Sequence, residues 1–265
     1  MLRVSPGMSR QQTPLLAKLR LMPATVPLAP LPPAVAELAA QHELGALTAT
    51  FRPQRFGVIV KSSFYLTLAV LFFLFVVPAV VFYYVSLRRY PDFNRRQGAK
   101  RLHLFEHGMI ADQETGAGTV AVRWDRVRLY EEQVQKIING IPGPILHTCV
   151  ATTPGASVTV TNFYQDAGTW APAMQRAVLR AQGTTVQEAF LAGEVLDFGE
   201  FDLSTAGIAH RKQLLPWTQV EQVKLGGGAV AVMKTGESAF WARAMAKSVP
   251  NLQVFLAMVD KYRSS

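Results

Sequence analysis

Two histidines, His103 and His107 in the run His103-Leu104-Phe105-Glu106-His107, are the first residues whose spacing could do chemistry. Strand positions i and i+4 share a face, so two imidazoles could be offered to one metal ion. The zinc-protease pattern needs His-Glu-x-x-His on a helix, and here the glutamate is displaced and the surrounding alternation is that of a strand. No third ligand lies nearby in the chain, so the pair reads as surface histidines on a sheet. Gly226-Gly227-Gly228 could cradle a phosphate, but a strand-like Ala229-Val230-Ala231-Val232 follows it instead of a helix, and no Gly-Lys-Ser/Thr follows either. It reads as a hairpin turn. Asp125 and Glu131-Glu132 are the densest acids, without the geometry of an acid/base pair. The single cysteine, Cys149, sits in an apolar run and reads as a buried small hydrophobe; one cysteine forms no intramolecular disulfide. The expectation is a chain with no catalytic, cofactor-binding or metal-binding residues.

A second group could bind without reacting. Arg88, Arg89, Arg95, Arg96, Lys100 and Arg101 form a basic stalk directly after a long apolar run. Lys and Arg close to a bilayer attract anionic headgroups by about 1 kcal/mol each, and Tyr83, Tyr84, Tyr90 and Phe93 add aromatics of the kind found at membrane interfaces. These six cations are the candidate lipid headgroup contacts. Most of the net charge of +9 belongs to the tail and the flanks of the apolar run. Residues 1–97 carry 11 Lys/Arg against 3 Asp/Glu, and residues 98–265 carry 16 against 15. A nucleic-acid-binding domain would concentrate its charge on the folded surface, so no nucleic-acid partner is expected.

The element that must position the stalk is the run from Ser62 to Leu87, 26 residues without a charge. About 20 apolar residues cross a bilayer core of about 30 Å, so the run predicts one transmembrane helix over 62–87, kinked at Pro78. Six cations follow the span within reach and three precede it (Arg52, Arg55, Lys61), which places the C-terminal region in the cytoplasm and residues 1–60 outside. The first 36 residues hold seven prolines and no signal-peptide core. The chain therefore divides into a proline-rich tail over 1–45 with a short helix at Ala34–His42, a pre-membrane segment over 46–61, the span, and the stalk over 88–101.

Beyond the stalk the apolar period changes to two. Strands are expected through Leu102–Ala111, Val120–Tyr130, Val134–Asn139, Ile145–Thr152 and Val158–Phe163, with Gly/Pro turns between them. A helix begins near Thr169, and a second at the capping box Thr185-Val186-Gln187-Glu188 ends at Gly193. Strands return over Glu194–Ser204, Ile208–Pro216, Gln219–Leu225, Ala229–Lys234 and Ala239–Ala246. A final helix places Leu252, Phe255, Leu256, Val259 and Tyr262 on one face. Two stretches match: Gly108-Met109-Ile110 leading to Trp124-Asp125-Arg126-Val127, and Gly207-Ile208-Ala209 leading to Trp217-Thr218-Gln219-Val220. The fold class expected is α+β: one transmembrane helix, then antiparallel meander lobes over 102–183 and 184–265, each closed by an amphipathic helix.

These motifs carry a resemblance. A meander closed by a C-terminal helix, with a Gly-apolar hairpin leading to Trp-x-x-Val, resembles the pleckstrin-homology-like (PH-like) fold. Phe51-Arg52-Pro53, Arg101 through Gly108, Arg123-Trp124, Ala192-Gly193-Glu194, Phe198-Gly199, Leu215 through Val220 and Val249-Pro250-Asn251-Leu252 are similar to an uncharacterised family of bacterial single-span membrane proteins. The resemblance covers roughly residues 45–263. It implies tandem PH-like lobes held at a bacterial plasma membrane, and no chemistry. The function expected is a membrane-anchored, non-catalytic binding or scaffold module whose partners are the lipid bilayer, anionic headgroups or an unknown protein. The alternatives are a structural homo-oligomer and an enzyme whose site is assembled from distant residues.

Overall fold

The chain entering the long apolar run and the chain leaving it pair in one sheet. The computed structural model describes residues 30–263 apart from residues 117 and 139. After a short helix α1 (Pro33–Gln41), strand β1 (Leu47–Phe51) lies antiparallel to β2 (Leu102–Phe105), with Thr50 opposite His103 and Phe51 opposite Leu102. Strands in a ladder are about 5 Å apart, so both flanks of the apolar run stand on the same side of it. The run itself is two helices, α2 (Val58–Leu74) and α3 (Val76–Val85), separated by Phe75 in an extended conformation. No helix among the described residues is long and apolar enough to cross a membrane.

The span expected over 62–87 is thereby corrected, together with the single-pass topology and the plasma-membrane localisation that rested on it. The cation count that oriented the span separates nothing, because its two groups lie at one end of a hairpin. Pro78 supplies a physical reason for the break. A proline inside a helix lacks one N–H and its ring collides with the carbonyl four residues earlier, and that residue, Leu74, is the last of α2. As the third residue of α3, Pro78 forfeits no hydrogen bond, since the first-turn N–H groups have no partner within a helix.

The rest is α+β with antiparallel sheets, and it is built twice. In the first half β1 and β2 are followed by β3 (Gly108–Asp112) and β4 (Thr119–Arg123) in a four-stranded sheet of that order. A three-stranded sheet of β5 (Arg128–Ile138), β6 (Ile141–Thr153) and β7 (Ala156–Thr161) comes next, and then α5 (Ala167–Leu191), after the short α4 (Arg95–Ala99) of the stalk. The second half repeats the series. Its four strands are β8 (Leu196–Phe198), β9 (Phe201–Ser204), β10 (Gly207–His210) and β11 (Gln213–Pro216); its three are β12 (Val220–Gly226), β13 (Ala229–Lys234) and β14 (Phe240–Met245); its helix is α6 (Leu252–Arg263).

The two halves share two anchor points. A Cβ added to Gly108, at the start of the third strand, would lie 2.3 Å from the carbonyl oxygen of Val122; one on Gly207, at the corresponding place, would lie 2.1 Å from that of Leu215. No side chain fits either approach. The tryptophan after each fourth strand then donates its indole N–H to the end of the second strand: Trp124 to Phe105 O at 3.2 Å, Trp217 to Ser204 O at 2.9 Å. These contacts explain the spacing of the two matching sequence stretches.

One apolar core runs through both halves, from Leu104, Met109 and Trp124 through Trp170 and Met174 to Phe201, Val230 and Phe255. Asn251, at positive φ before α6, ties the halves together: its side chain accepts from the Leu129 N–H at 2.8 Å and donates to Val127 O and Gln182 Oε1. Local expectations change as well, beginning with the strand expected over Val120–Tyr130, which breaks between β4 and β5. The helices expected on either side of residue 184 are one continuous α5, so the boundary at 183/184 falls inside a helix, and the first half begins at Leu47, before the apolar run, not at residue 102. The strand expected over Glu194–Ser204 turns at Gly199. Strand β2 is buried on both faces, because Phe105 packs with Ala39 and Leu44 of the α1 region.

Candidate functional site

The foot of the α2–α3 hairpin gathers the charges of both flanks. Residues 52–54 are held down by the loop before α5: the Gln54 N–H donates to Phe163 O at 2.6 Å, and the Gln165 N–H donates to Arg52 O at 2.9 Å. Asp92, with only 3% of its side chain exposed, joins the two legs. Its Oδ2 accepts the Phe56 N–H at 2.8 Å, and its Oδ1 lies 3.3 Å from the Lys61 ammonium. Rings close the base: Phe56 packs on Phe64 at 5.4 Å and Tyr90 at 4.7 Å, and Tyr65 meets Phe93 edge-on at 5.1 Å. The Tyr83 hydroxyl donates to Phe93 O. The single acid between Glu43 and Glu106 thus joins the leaving leg to a lysine on the entering leg.

Toward the tip the polarity vanishes. No residue of α2 is buried, and Phe72, Phe73, Leu74, Phe75, Val76 and Val77 are all exposed, Phe73 to 87%. From Lys61 to Leu74 the helix rises about 20 Å at 1.5 Å per residue, short of the roughly 30 Å of a bilayer core. Six consecutive apolar residues, Phe72 to Val77, stand exposed there.

The six expected headgroup contacts divide. Arg88 lies over the Tyr84 ring, 5.5 Å from its centroid, and Arg89 follows it in a 3-10 turn; both are exposed. Arg95 and Arg96 are exposed at the start of α4, which Asn94 caps by accepting the Arg96 N–H at 3.0 Å while donating to Arg88 O at 2.8 Å. Lys100 turns inward. It is buried and donates to the carbonyls of Gln113, Glu114 and Gly116 at 2.6, 2.9 and 3.0 Å, closing a loop, and is withdrawn from any ligand. Arg101 donates to Gly98 O and Lys100 O. Burial holds both cations below their ordinary pKa values; for Arg101 the neighbouring Arg52 and Arg55 push in the same direction. A guanidinium stays charged regardless. Arg52 and Arg55 have no ion-pair partner among the described residues.

Arg52, Arg55 and Lys61 were not among the sequence candidates. Read as a span, the apolar run put them on the far side of a bilayer from the stalk. The isolated Asp92 amid the cations was the one signal that the flanks pair.

The remaining chemical candidates lie elsewhere. His103 is buried in β2, not on the surface, with its Nδ1 2.9 Å from the Thr50 hydroxyl and its pKa lowered by burial, while His107 lies in the turn after the strand. Among the described residues no three His, Cys, Asp or Glu side chains could hold a metal ion. Gly226-Gly227-Gly228 is the β12–β13 turn, with positive φ at Gly227 and Gly228. Asp125 pairs with Arg123 at 3.1 Å. Glu131 lines a cavity of about 320 Å3 between the halves with Gln133, Gln175, Leu225 and Leu252; it accepts a hydrogen bond from Gln175, and burial pushes its pKa up to about 7. Cys149, opposite Glu131 in the ladder, is buried, and burial and Glu131 raise its thiol pKa, the reverse of what a nucleophilic cysteine needs.

The family model that matches the chain covers residues 33–265. The chain belongs to DUF6585, a family of unknown function. The matched region takes in α1, the apolar hairpin with its basic foot, and both halves of the fold. No curated protein matches the chain.

Proposed function

We propose that this DUF6585 chain is a non-catalytic module that docks on a lipid surface from one side, by burying the tip of the α2–α3 hairpin, and so presents its β-rich halves at that surface. The carrying observation is the polarity of the hairpin: exposed apolar residues at the tip, aromatic rings below them, and arginines with Lys61 at the foot. Apolar surface favours the acyl region, aromatics the interface, and cations the anionic headgroup layer. No crossing is involved, since β1 and β2 keep both flanks together.

We read each half as PH-like, with four strands, then three, then a closing helix. That architecture supports a binding role over catalysis by analogy only. The nearly balanced charge of residues 98–265 favours a protein as the partner of the halves themselves.

Flotation of the full chain with phosphatidylcholine vesicles, and with vesicles containing phosphatidylglycerol, tests the reading. Binding to both is expected, tighter with phosphatidylglycerol at low salt, and the double substitution Phe73→Glu with Phe75→Glu is expected to remove it. Protease added outside the vesicles should reach loops on both flanks of the hairpin. Absence of flotation with either lipid, or unchanged flotation of the double variant, overturns the proposal. A chain that fails to float and instead cross-links to itself through the hairpin would be the homo-oligomer.

A further inference from the structure

Two clefts meet at the hairpin. One, of about 590 Å3, lies at the foot and is lined by Arg55, Lys61, Asn94 and Arg95. The other, of about 430 Å3, runs between α2 and α3 over Ala69 and Ala79 and is lined by apolar and aromatic residues alone. Tyr65, Leu68 and Tyr83 line both, so the polar cleft and the apolar one lie side by side. The carboxylate in the polar cleft, Asp92, is turned away from a ligand, with its oxygens engaged by Lys61 and the Phe56 N–H and its side chain nearly inaccessible. Arg55 and Arg95 have no ion-pair partner among the described residues.

From this junction we infer that the hairpin holds one anionic glycerophospholipid as a specific ligand, its phosphate between Arg55, Arg95 and Lys61 and one acyl chain in the groove between α2 and α3. Guanidinium groups match phosphate oxygens bidentately, and an ammonium adds a point charge. The small side chains of Ala69 and Ala79 leave the groove floor low enough for a chain, where a larger residue would fill it. Charge and apolar length occur together in one molecule only in an amphiphile. Inorganic phosphate would satisfy the first cleft and leave the second empty; an uncharged lipid would do the reverse. The inference rests on the docking reading but is narrower: bulk insertion needs an apolar tip, whereas this site needs a charge at one fixed place.

The test uses the full chain and phospholipids short enough to stay monomeric. Calorimetric titration with dihexanoyl phosphatidylglycerol, dihexanoyl phosphatidylcholine and inorganic phosphate is expected to rank the first at least tenfold tighter than either of the others. The pair Arg55→Ala with Arg95→Ala should lose at least tenfold for the anionic lipid. Ala69→Phe, at an exposed helix position, should lower the affinity for the anionic lipid to that for phosphate. Equal affinity for phosphate and the anionic lipid, or for the two lipids, overturns the site. Flotation of the wild-type chain without binding of any monomeric lipid removes the site and leaves docking intact. Failure of both removes the docking proposal as well.

Discussion

At one position the two halves of the molecule differ most. Between its first and second strands the second half places Gly199 and Glu200, a tight turn. Between its first and second strands the first half places residues 52–101, the whole hairpin and stalk. Both versions deliver the next strand antiparallel to the last, with Phe51 opposite Leu102 in one and Phe198 opposite Phe201 in the other. The framework is therefore indifferent to what closes this connection. The entropic cost of a longer loop grows only logarithmically, and the hairpin brings its ends together through Asp92, Phe56 and Tyr90. An insertion at a site where the chain already reverses must return to where it left, and that requirement makes the apolar run a hairpin.

The sharpest way to test this comparison is to make the first half like the second. Replacing residues 57–89 by a Gly/Ser linker of about four residues should abolish vesicle flotation completely. It should leave both halves folded with a modestly lower thermal midpoint, because the buried residues it removes, Ala79 and Leu87, belong to neither apolar core cluster. A collapse of the fold would instead show that the hairpin is structural.

The paired tryptophans come next in size. Trp124 is fully buried and Trp217 only partly so, although each makes the equivalent indole hydrogen bond. Trp124→Ala should cost about 3–5 kcal/mol in denaturant unfolding, the range for a large aromatic in a core, and Trp217→Ala about half that. Equal losses would mean that the hydrogen bond, and not burial, sets the value of the position.

A third difference lies seven residues after each tryptophan, where the first half has buried Glu131 and the second has exposed Lys224. The folded pKa of Glu131, about 7, lies above the ordinary 4.5, so between those values the folded state binds more protons than the unfolded one. Glu131 therefore favours the folded state most at low pH, and this contribution falls as pH rises from about 4.5 through about 7, by about 3 kcal/mol in all. Glu131→Gln should remove that slope and be the more stable protein above pH 7. Parallel stability curves for the two proteins would refute the assignment.

The smallest effect is expected at the exposed bridge between the halves, Arg128 to Asp197 at 2.7 Å. Arg128→Ala should cost about 0.2–1 kcal/mol, less at high salt. Asn251→Ala should cost more, because it strands the buried Val127 and Leu129 backbone groups it now satisfies.

Much of the framework could be read from local pattern. The last helix, the glycine turn at 226–228 and the Gly/Trp repeat follow from side-chain period, from positive φ at the turn and, at Gly108 and Gly207, from backbone approaches that only glycine permits. Helix α5 escaped that reading because Gly183 and the capping box at Thr185 mark a stop locally. Gln182, bonded to Trp124 O and Val127 O, and Phe190, packed against Trp217 and Tyr262, instead hold both sides of Gly183 on one core. The site was legible as a list of cations. Which of them point outward was not, because Lys100 and Arg95 look alike in sequence, and only the carbonyls gathered by the loop at 113–116 draw Lys100 inward.

What the sequence by itself determined was composition along the chain: an uncharged run, cations on both of its flanks, alternating strands and a repeated anchor. Hydropathy states how apolar a segment is but says nothing of its direction, so a run of 26 residues fits a span and a hairpin equally well. The tertiary structure decided between them. Strand β1 pairs with β2 across fifty intervening residues, and backbone hydrogen bonds at that separation leave no room for a bilayer between the partners.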